Sequence, residues 1–183
     1  PVLRLNCGRN ETSGSDYALG DIEFFSSDSS GTGTRVLTSI NAIADGGSTA
    51  PGGHLTFKTA PTNSAAVERL RIDSSGNVGI GVVPEAWHSA FTEVLQVGVA
   101  SLITSGGDNA RVFSNAYYDG AYKRIGTGYA HSYEQTGGTH RWFNAASGSA
   151  DSSISWAESM RIDESSNLLV GKTASGTANT GAE

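Results

Sequence analysis

Apolar and polar residues alternate along most of this chain with a period of two. Leu70 and Ile72 fall on one side of the backbone, and Arg69, Arg71 and Asp73 fall on the other, as successive residues of a strand do. The same alternation marks 2–6, 21–25, 35–44, 54–59, 94–97, 101–103, 111–117, 122–125, 130–135 and 139–144. Clusters of Gly, Ser, Asn and Asp separate these runs, and such residues favour turns. The pattern predicts many short strands. One stretch, 84–91, reads differently. Pro84 suits a first helical position, and Trp87 and Phe91, four apart, would share a helix face. A short helical connector is predicted there.

One stretch returns. Glu68-Arg69-Leu70-Arg71-Ile72-Asp73-Ser74-Ser75-Gly76-Asn77-Val78-Gly79-Ile80-Gly81 reads as two strands joined by a tight turn. Arg161-Ile162-Asp163-Glu164-Ser165-Ser166-Asn167-Leu168-Leu169-Val170-Gly171 repeats it, with Arg71 matching Arg161 at an offset of 90. In the turn, Asp and Ser side chains can accept backbone amide hydrogen bonds, and Gly76 can take a positive φ. In the second copy Ser166 replaces Gly76, so Asn167 is expected to take the left-handed position. A weaker match joins 52–57 to 138–143 at an offset of 86 and aligns His54 with His140. Repetition at half-chain spacing indicates an architectural module. The predicted organisation is a first β lobe at 1–83, the connector at 84–91, a second β lobe at 92–173, and the start of a further segment or linker at 174–183.

The module resembles the shaft repeats of bacteriophage tail fibres and related receptor-binding proteins, as do Leu19-Gly20-Asp21-Ile22-Glu23-Phe24 and Leu168-Leu169-Val170-Gly171-Lys172-Thr173. The resemblance implies an all-β, elongated, repeat-containing fibre segment, an intertwined or side-by-side homotrimer of short β lobes. It implies a virion tail location, made in the host cytoplasm and displayed outside it. The implied partners are further copies of the chain, other virion tail proteins, and a host cell-surface glycan or protein. The implied function is structural support of host-receptor attachment. A tail-spike polysaccharide depolymerase and a cellular surface adhesin are the alternatives.

Composition agrees with repetitive β structure. Only 16% of the 183 residues are charged and 24 are glycine, against about 25% charged in ordinary domains. The net charge is −6 with no basic stripe, which argues against nucleic-acid binding. No apolar run is long enough to cross a bilayer as a helix. The single cysteine, Cys7, allows no internal disulfide and reads as a small buried side chain.

Little in the sequence points to catalysis, a cofactor or a metal. His54, His88, His131 and His140 lack metal-ligand spacing. Gly171-Lys172-Thr173 imitates the end of a phosphate-binding loop, but Ser166 stands where that motif needs glycine. Asp119, Glu134 and Asp151 are the carboxylates a glycosidase reading would use, and their spacing selects no pair. Arg71 with Asp73, and Arg161 with Asp163, read as structural contacts. The aromatics are more telling. Of 15, eight lie between Phe113 and Phe143. Alternation places Phe113 and one of Trp142 and Phe143 in the core, and leaves Tyr117, Tyr118 and Tyr122 beside the Asp119-Gly120 turn. Aromatic faces stack on sugar rings and anchor ligands, so these three tyrosines are the expected glycan contact.

Overall fold

The computed structural model describes residues 17–30, 33–45, 52–91, 93–104 and 108–175. The expected strand at 2–6, Cys7, the polar turn at 10–16 and 176–183 lie outside the described residues. The chain divides into two compact units, Pro1–Val83 and Pro84–Glu183. Both are all-β, and among the described residues no segment is helical.

The first unit is an antiparallel meander of β1 (Tyr17–Ser26), β2 (Arg35–Ala44), β3 (Gly53–Thr59), β4 (Val67–Ile72) and β5 (Val78–Ile80), each paired with the next. Its register explains the alternation. Ile22, Ile40, Phe57, Leu70 and Ile80 stand directly opposite one another across all five strands. One residue along, Asp21, Asn41, Thr56, Arg71 and Gly79 form the next line, on the opposite face. The polar line is the better covered one. Asn41, His54, Thr56 and Ser39 are buried, whereas Ile22 and Ile80 are 47% and 41% exposed. The usual arrangement, with apolar side chains inside and polar ones outside, is reversed within this unit.

Neighbouring side chains bond much of that covered polar face, although Thr56 Oγ1 at its centre is buried without a hydrogen-bond partner. Ser39 Oγ donates to Asn41 Oδ1 (2.8 Å), and Asn41 Nδ2 donates to Asp21 Oδ1 (2.6 Å). Arg71 forks onto Glu68 at 2.8 and 2.9 Å. The hydrogen-bond partner of Arg71 is Glu68, three residues away. Gly52 is required where the chain passes Ser74, because a Cβ there would stand 2.7 Å from Ser74 Cβ.

The second unit contains β6 (Glu93–Val97), β7 (Ala100–Thr104), β8 (Ala110–Ser114), β11 (Gly128–Thr136), β12 (Thr139–Gly148), β13 (Ala157–Ile162) and β14 (Leu168–Val170), paired antiparallel in that order. A small ribbon of β9 (Tyr117–Tyr118) and β10 (Tyr122–Lys123) interrupts the succession. The strand expected at 111–117 breaks at Asn115. Asn115 takes φ 58°, and its buried side chain binds the 126–129 loop, donating to Gly126 O and Tyr129 O at 2.9 and 3.0 Å. Gly137 and Gly138, at φ 52° and 71°, join β11 to β12 in a two-residue turn with both residues left-handed, the geometry that suits a twisted hairpin.

The core of the second unit lies on one face of its sheet. Val94, Ile103, Phe113, Ala116, Ala130 and Ala145 form it, with Trp87, Phe91, Tyr122, Ile154 and Trp156 packed over them. The connector predicted as a helix is an irregular strap across this core. Its amides bond elsewhere than four residues back: Trp87 N–H to Glu85 O, His88 N–H to Tyr118 O and Phe91 N–H to His88 O. Buried Gln96 fixes the strap, its Oε1 accepting from Glu85 N–H (3.0 Å) and Trp87 Nε1 (3.2 Å). Trp87 and Phe91 do meet, edge to face at 6.2 Å. Tertiary packing of the two rings thus took the place of a helix face.

The two recurring hairpins make the same hydrogen bonds. Asp73 Oδ1 accepts from Ser75 N–H and Asn77 N–H, and Asp163 Oδ1 accepts from Ser165 N–H and Asn167 N–H. Each Asn side chain donates back to its Asp. Gly76 sits at φ 87° and Ser166 at φ 64°, so the left-handed residue of the second turn is Ser166 and not the expected Asn167. Strand pairing also corrects the offset of 86. Arg71 pairs with Thr56, and Arg161 pairs with Arg141, which is an offset of 85 for the preceding strand. His140 therefore corresponds to Leu55, and His54 and His140 lie on opposite faces of their sheets.

Asp73→Ala and Asp163→Ala should each cost about 1–3 kcal/mol by removing two backbone hydrogen bonds worth about 0.5–1.5 kcal/mol apiece, read as a shift in urea midpoint at constant slope. Gly76→Ser, which copies the second turn, should cost no more than about 1–2 kcal/mol. A larger loss for Gly76→Ser than for Asp73→Ala would contradict this view of the turn.

Candidate functional site

The tyrosines singled out from the sequence converge on the strap. Tyr117 is buried, and its hydroxyl donates to Asp151 Oδ1 at 2.9 Å. Tyr118 and Tyr122 are half-buried, with ring centroids 4.8 Å apart. Tyr118 also meets Phe91 at 5.3 Å and His88 at 5.6 Å. Tyr122 meets Phe113 at 5.7 Å and Trp156 at 5.9 Å. Phe113 stacks between Trp87 and Trp156, at 6.4 and 6.0 Å. Much of the aromatic richness between 113 and 143 therefore serves as core. Tyr118 keeps an accessible part beside exposed His88 and Asp119.

Burial and the Asp151 hydrogen bond push the Tyr117 hydroxyl up to about 12. Burial also raises Tyr122, opposed by the neighbouring Arg111 charge. Burial and the Asp151 charge raise Glu85.

The three carboxylates considered for hydrolysis have separate attachments. Asp119 accepts from Lys123 Nζ at 2.6 Å, which holds its carboxyl below the usual range. Asp151 accepts from Tyr117. Glu134, 2% exposed, lies between two arginines. Arg111 Nε is 2.6 Å from Glu134 Oε1, and Arg141 Nε is 3.7 Å from Oε2. Arg111 also donates to the Tyr122 hydroxyl and lies 5.4 Å from the centre of that ring. This cluster around buried Glu134 had no signal in the sequence, because its members are 23 and seven residues apart and meet only through register: Arg111, Glu134, Arg141 and Arg161 stand opposite one another. Arg161 forks onto Glu158 at 2.5 Å, as Arg71 does onto Glu68. Arg161 thus takes Glu158 as its hydrogen-bond partner, and the predicted Arg161–Asp163 interaction is electrostatic beside it.

A second feature hidden from the sequence is Arg124. It is buried, donating to Gly128 O, Ser153 O and Ser152 Oγ at 3.2, 2.8 and 3.0 Å. Gly148 leaves room for it, since a Cβ there would come within 2.8 Å of Arg124 Cζ. His54 binds Asp45 at 2.7 Å, and the Asp45 carboxyl is held low by Ser74 and then by His54. Among the described residues no three His, Cys, Asp or Glu side chains gather.

The opposite face of the second unit carries a row of seven in-register residues: Leu95, Leu102, Val112, Tyr133, Trp142, Met160 and Val170. Counted from the hairpin modules, its last five members correspond to Ile22, Ile40, Phe57, Leu70 and Ile80 of the first unit. Leu102, Val112 and Val170 are each 46% exposed or more.

No protein-family model matches the chain, and no curated protein is similar to it at a significant level. Among solved structures it is similar to the carboxy-terminal domain of the bacteriophage T5 L-shaped tail fibre, with a TM-score of 0.45 and 11% identity over 96% of this chain and 87% of that one. It is also similar to the same domain with its intra-molecular chaperone domain, at a TM-score of 0.46 and 12% identity over 97% of this chain and 64% of that one. Likeness at this level assigns no activity, receptor or assembly.

Tyr117 binds its proton more tightly when folded than when unfolded, so its contribution is complete below about pH 10 and is lost as pH rises towards about 12. Stability should fall over that interval, and Tyr117→Phe should flatten the fall in alkaline denaturation curves. Glu134→Ala should cost about 1.5–3 kcal/mol, because Arg111 loses a charged hydrogen-bond partner while both arginines keep some access to solvent; a loss below about 0.5 kcal/mol would contradict a stabilising pair.

Proposed function

We propose that this chain is a structural, non-enzymatic segment of a phage tail fibre, working as a homotrimer that supports host attachment. The observation that carries the reading is the uncovered apolar face of the first unit, where Ile22, Ile40, Phe57, Leu70 and Ile80 align across five strands. Contiguous apolar surface of this kind marks an interaction site. Fully burying an exposed large apolar side chain is worth about 1.5–3 kcal/mol; exposed Ile22 and Ile80 and half-buried Ile40, Phe57 and Leu70 each stand to gain part of that on association. A short-stranded unit with a thin core gains its missing layer from neighbouring copies.

The sequence resemblance of the hairpin modules to fibre shaft repeats supports the same reading. Three chains per fibre, and several fibres per particle, would turn weak host contacts into firm attachment by raising effective concentration. Tyr118 and Tyr122, at the rim of the aromatic cluster, remain the proposed lateral glycan contact. Tyr117, buried against Asp151, would support them from beneath.

Light scattering should give three chain masses for the wild type. Ile22→Lys and Ile80→Lys place charges on side chains already exposed in the isolated chain, so each should give a folded monomer. A wild-type monomer, or lysine variants that remain trimeric, would sink the proposal.

A further inference from the structure

The matching faces of the two units carry different chemistry. Where the first unit has Ile40 and Phe57, the second has Tyr133 and Trp142; where the first has Thr38 and Phe24, the second has His131 and Ser114. The aliphatic line becomes an aromatic line flanked by hydrogen-bonding groups. The exchange of Phe24 for Ser114 also removes a ring, and a groove of about 430 Å³ lies there. Its walls are Val112, Ser114, His131, Tyr133, Trp142 and Asn144. This volume falls within the range of small-ligand sites, about 300–1,000 Å³.

We propose that this groove binds a neutral sugar unit of a glycan. Tyr133 and Trp142 have ring centres 5.0 Å apart and planes 34° apart, giving a shallow aromatic wall for the apolar face of a pyranose. His131 and Asn144 stand opposite each other across β11 and β12, both exposed, and offer donors and acceptors to ring hydroxyls. Asn144 Nδ2 donates to Ser159 Oγ at 2.7 Å, which leaves its carbonyl oxygen for a sugar hydroxyl. The Tyr133 hydroxyl bonds His140 Nδ1 at 2.6 Å, fixing the ring in place. No Asp, Glu, Lys or Arg lines the groove, so the ligand class is uncharged rather than an acidic sugar or a phosphate.

The inference rests on the attachment reading for the origin of the sugar, while binding itself is tested separately. The full chain is titrated with glucose, galactose, mannose, N-acetylglucosamine and their disaccharides, with sialic acid as the charged control. Binding is followed by tryptophan fluorescence and calorimetry, and chain mass is measured in the same samples. One or more neutral sugars should bind, and sialic acid should not. Trp142→Ala should weaken binding at least tenfold. Ser114→Phe, which restores the ring found at Phe24, should abolish binding without changing the melting curve, so a folding failure in Trp142→Ala does not decide the matter. Absence of binding by every neutral sugar, equal binding of sialic acid, or binding that survives Ser114→Phe would each overturn the groove assignment. A trimer without sugar binding would overturn this inference and keep the proposed function; a sugar-binding monomer would do the reverse.

Discussion

Strand register decides almost everything else in this chain. Because side chains alternate faces and the paired positions stay aligned from strand to strand, one residue from each strand joins a continuous line across the sheet. Ile22, Ile40, Phe57, Leu70 and Ile80 become one apolar line in this way. Arg111, Glu134, Arg141 and Arg161 become a charged one. A single-residue slip would exchange the two faces, so the devices that pin register carry unusual weight. The aspartate-capped turns at Asp73 and Asp163 are two of them. The bulges that fall after Phe57 and after Trp142 are others, and both place a glutamate, Glu68 or Glu158, where it can fork onto the nearby arginine.

The same register gives the two units different capacities. In the first, the covered face is polar and internally bonded, and the open face is aliphatic, which favours association with similar surfaces. In the second, the strap and the β9–β10 ribbon cover one face with aromatic rings around Phe113. Its open face keeps the apolar line but replaces its middle with Tyr133 and Trp142. On this difference, assembly is proposed for the aliphatic face and sugar binding for the aromatic one.

Much of the strand pattern was legible because alternation and turn residues are local signals. The strand at 35–44 coincides with β2, and the hairpins around Asp73 and Asp163 follow from their turn chemistry. The strap was misread because its two rings, four apart, satisfy a helix pattern while Gln96, eleven residues from Glu85, captures the amide that would begin the helix. The left-handed role of Ser166 was missed because serine is a poor sequence signal for positive φ. The His54–His140 match failed because identity at one position outweighed the pairing register, which only the neighbouring strands supply. The Glu134 cluster and the Arg124 anchor are assembled across strands and loops, and no local spacing announces them. Tyr117 illustrates the limit for site residues: alternation placed it beside a turn, and only the fold shows it turned inward to Asp151.

The proposed trimer requires the aliphatic face of the first unit to be covered by other copies of the chain. Side-chain footprinting with a photoactivated carbene tests it directly, comparing the labelling of Ile22, Phe57, Leu70 and Ile80 with that of exposed Tyr129 in native and dissociated protein. The account predicts that the four apolar residues are protected in the native assembly and become labelled on dissociation, while Tyr129 is labelled in both. Equal labelling of Ile22 and Ile80 in the two states would contradict it.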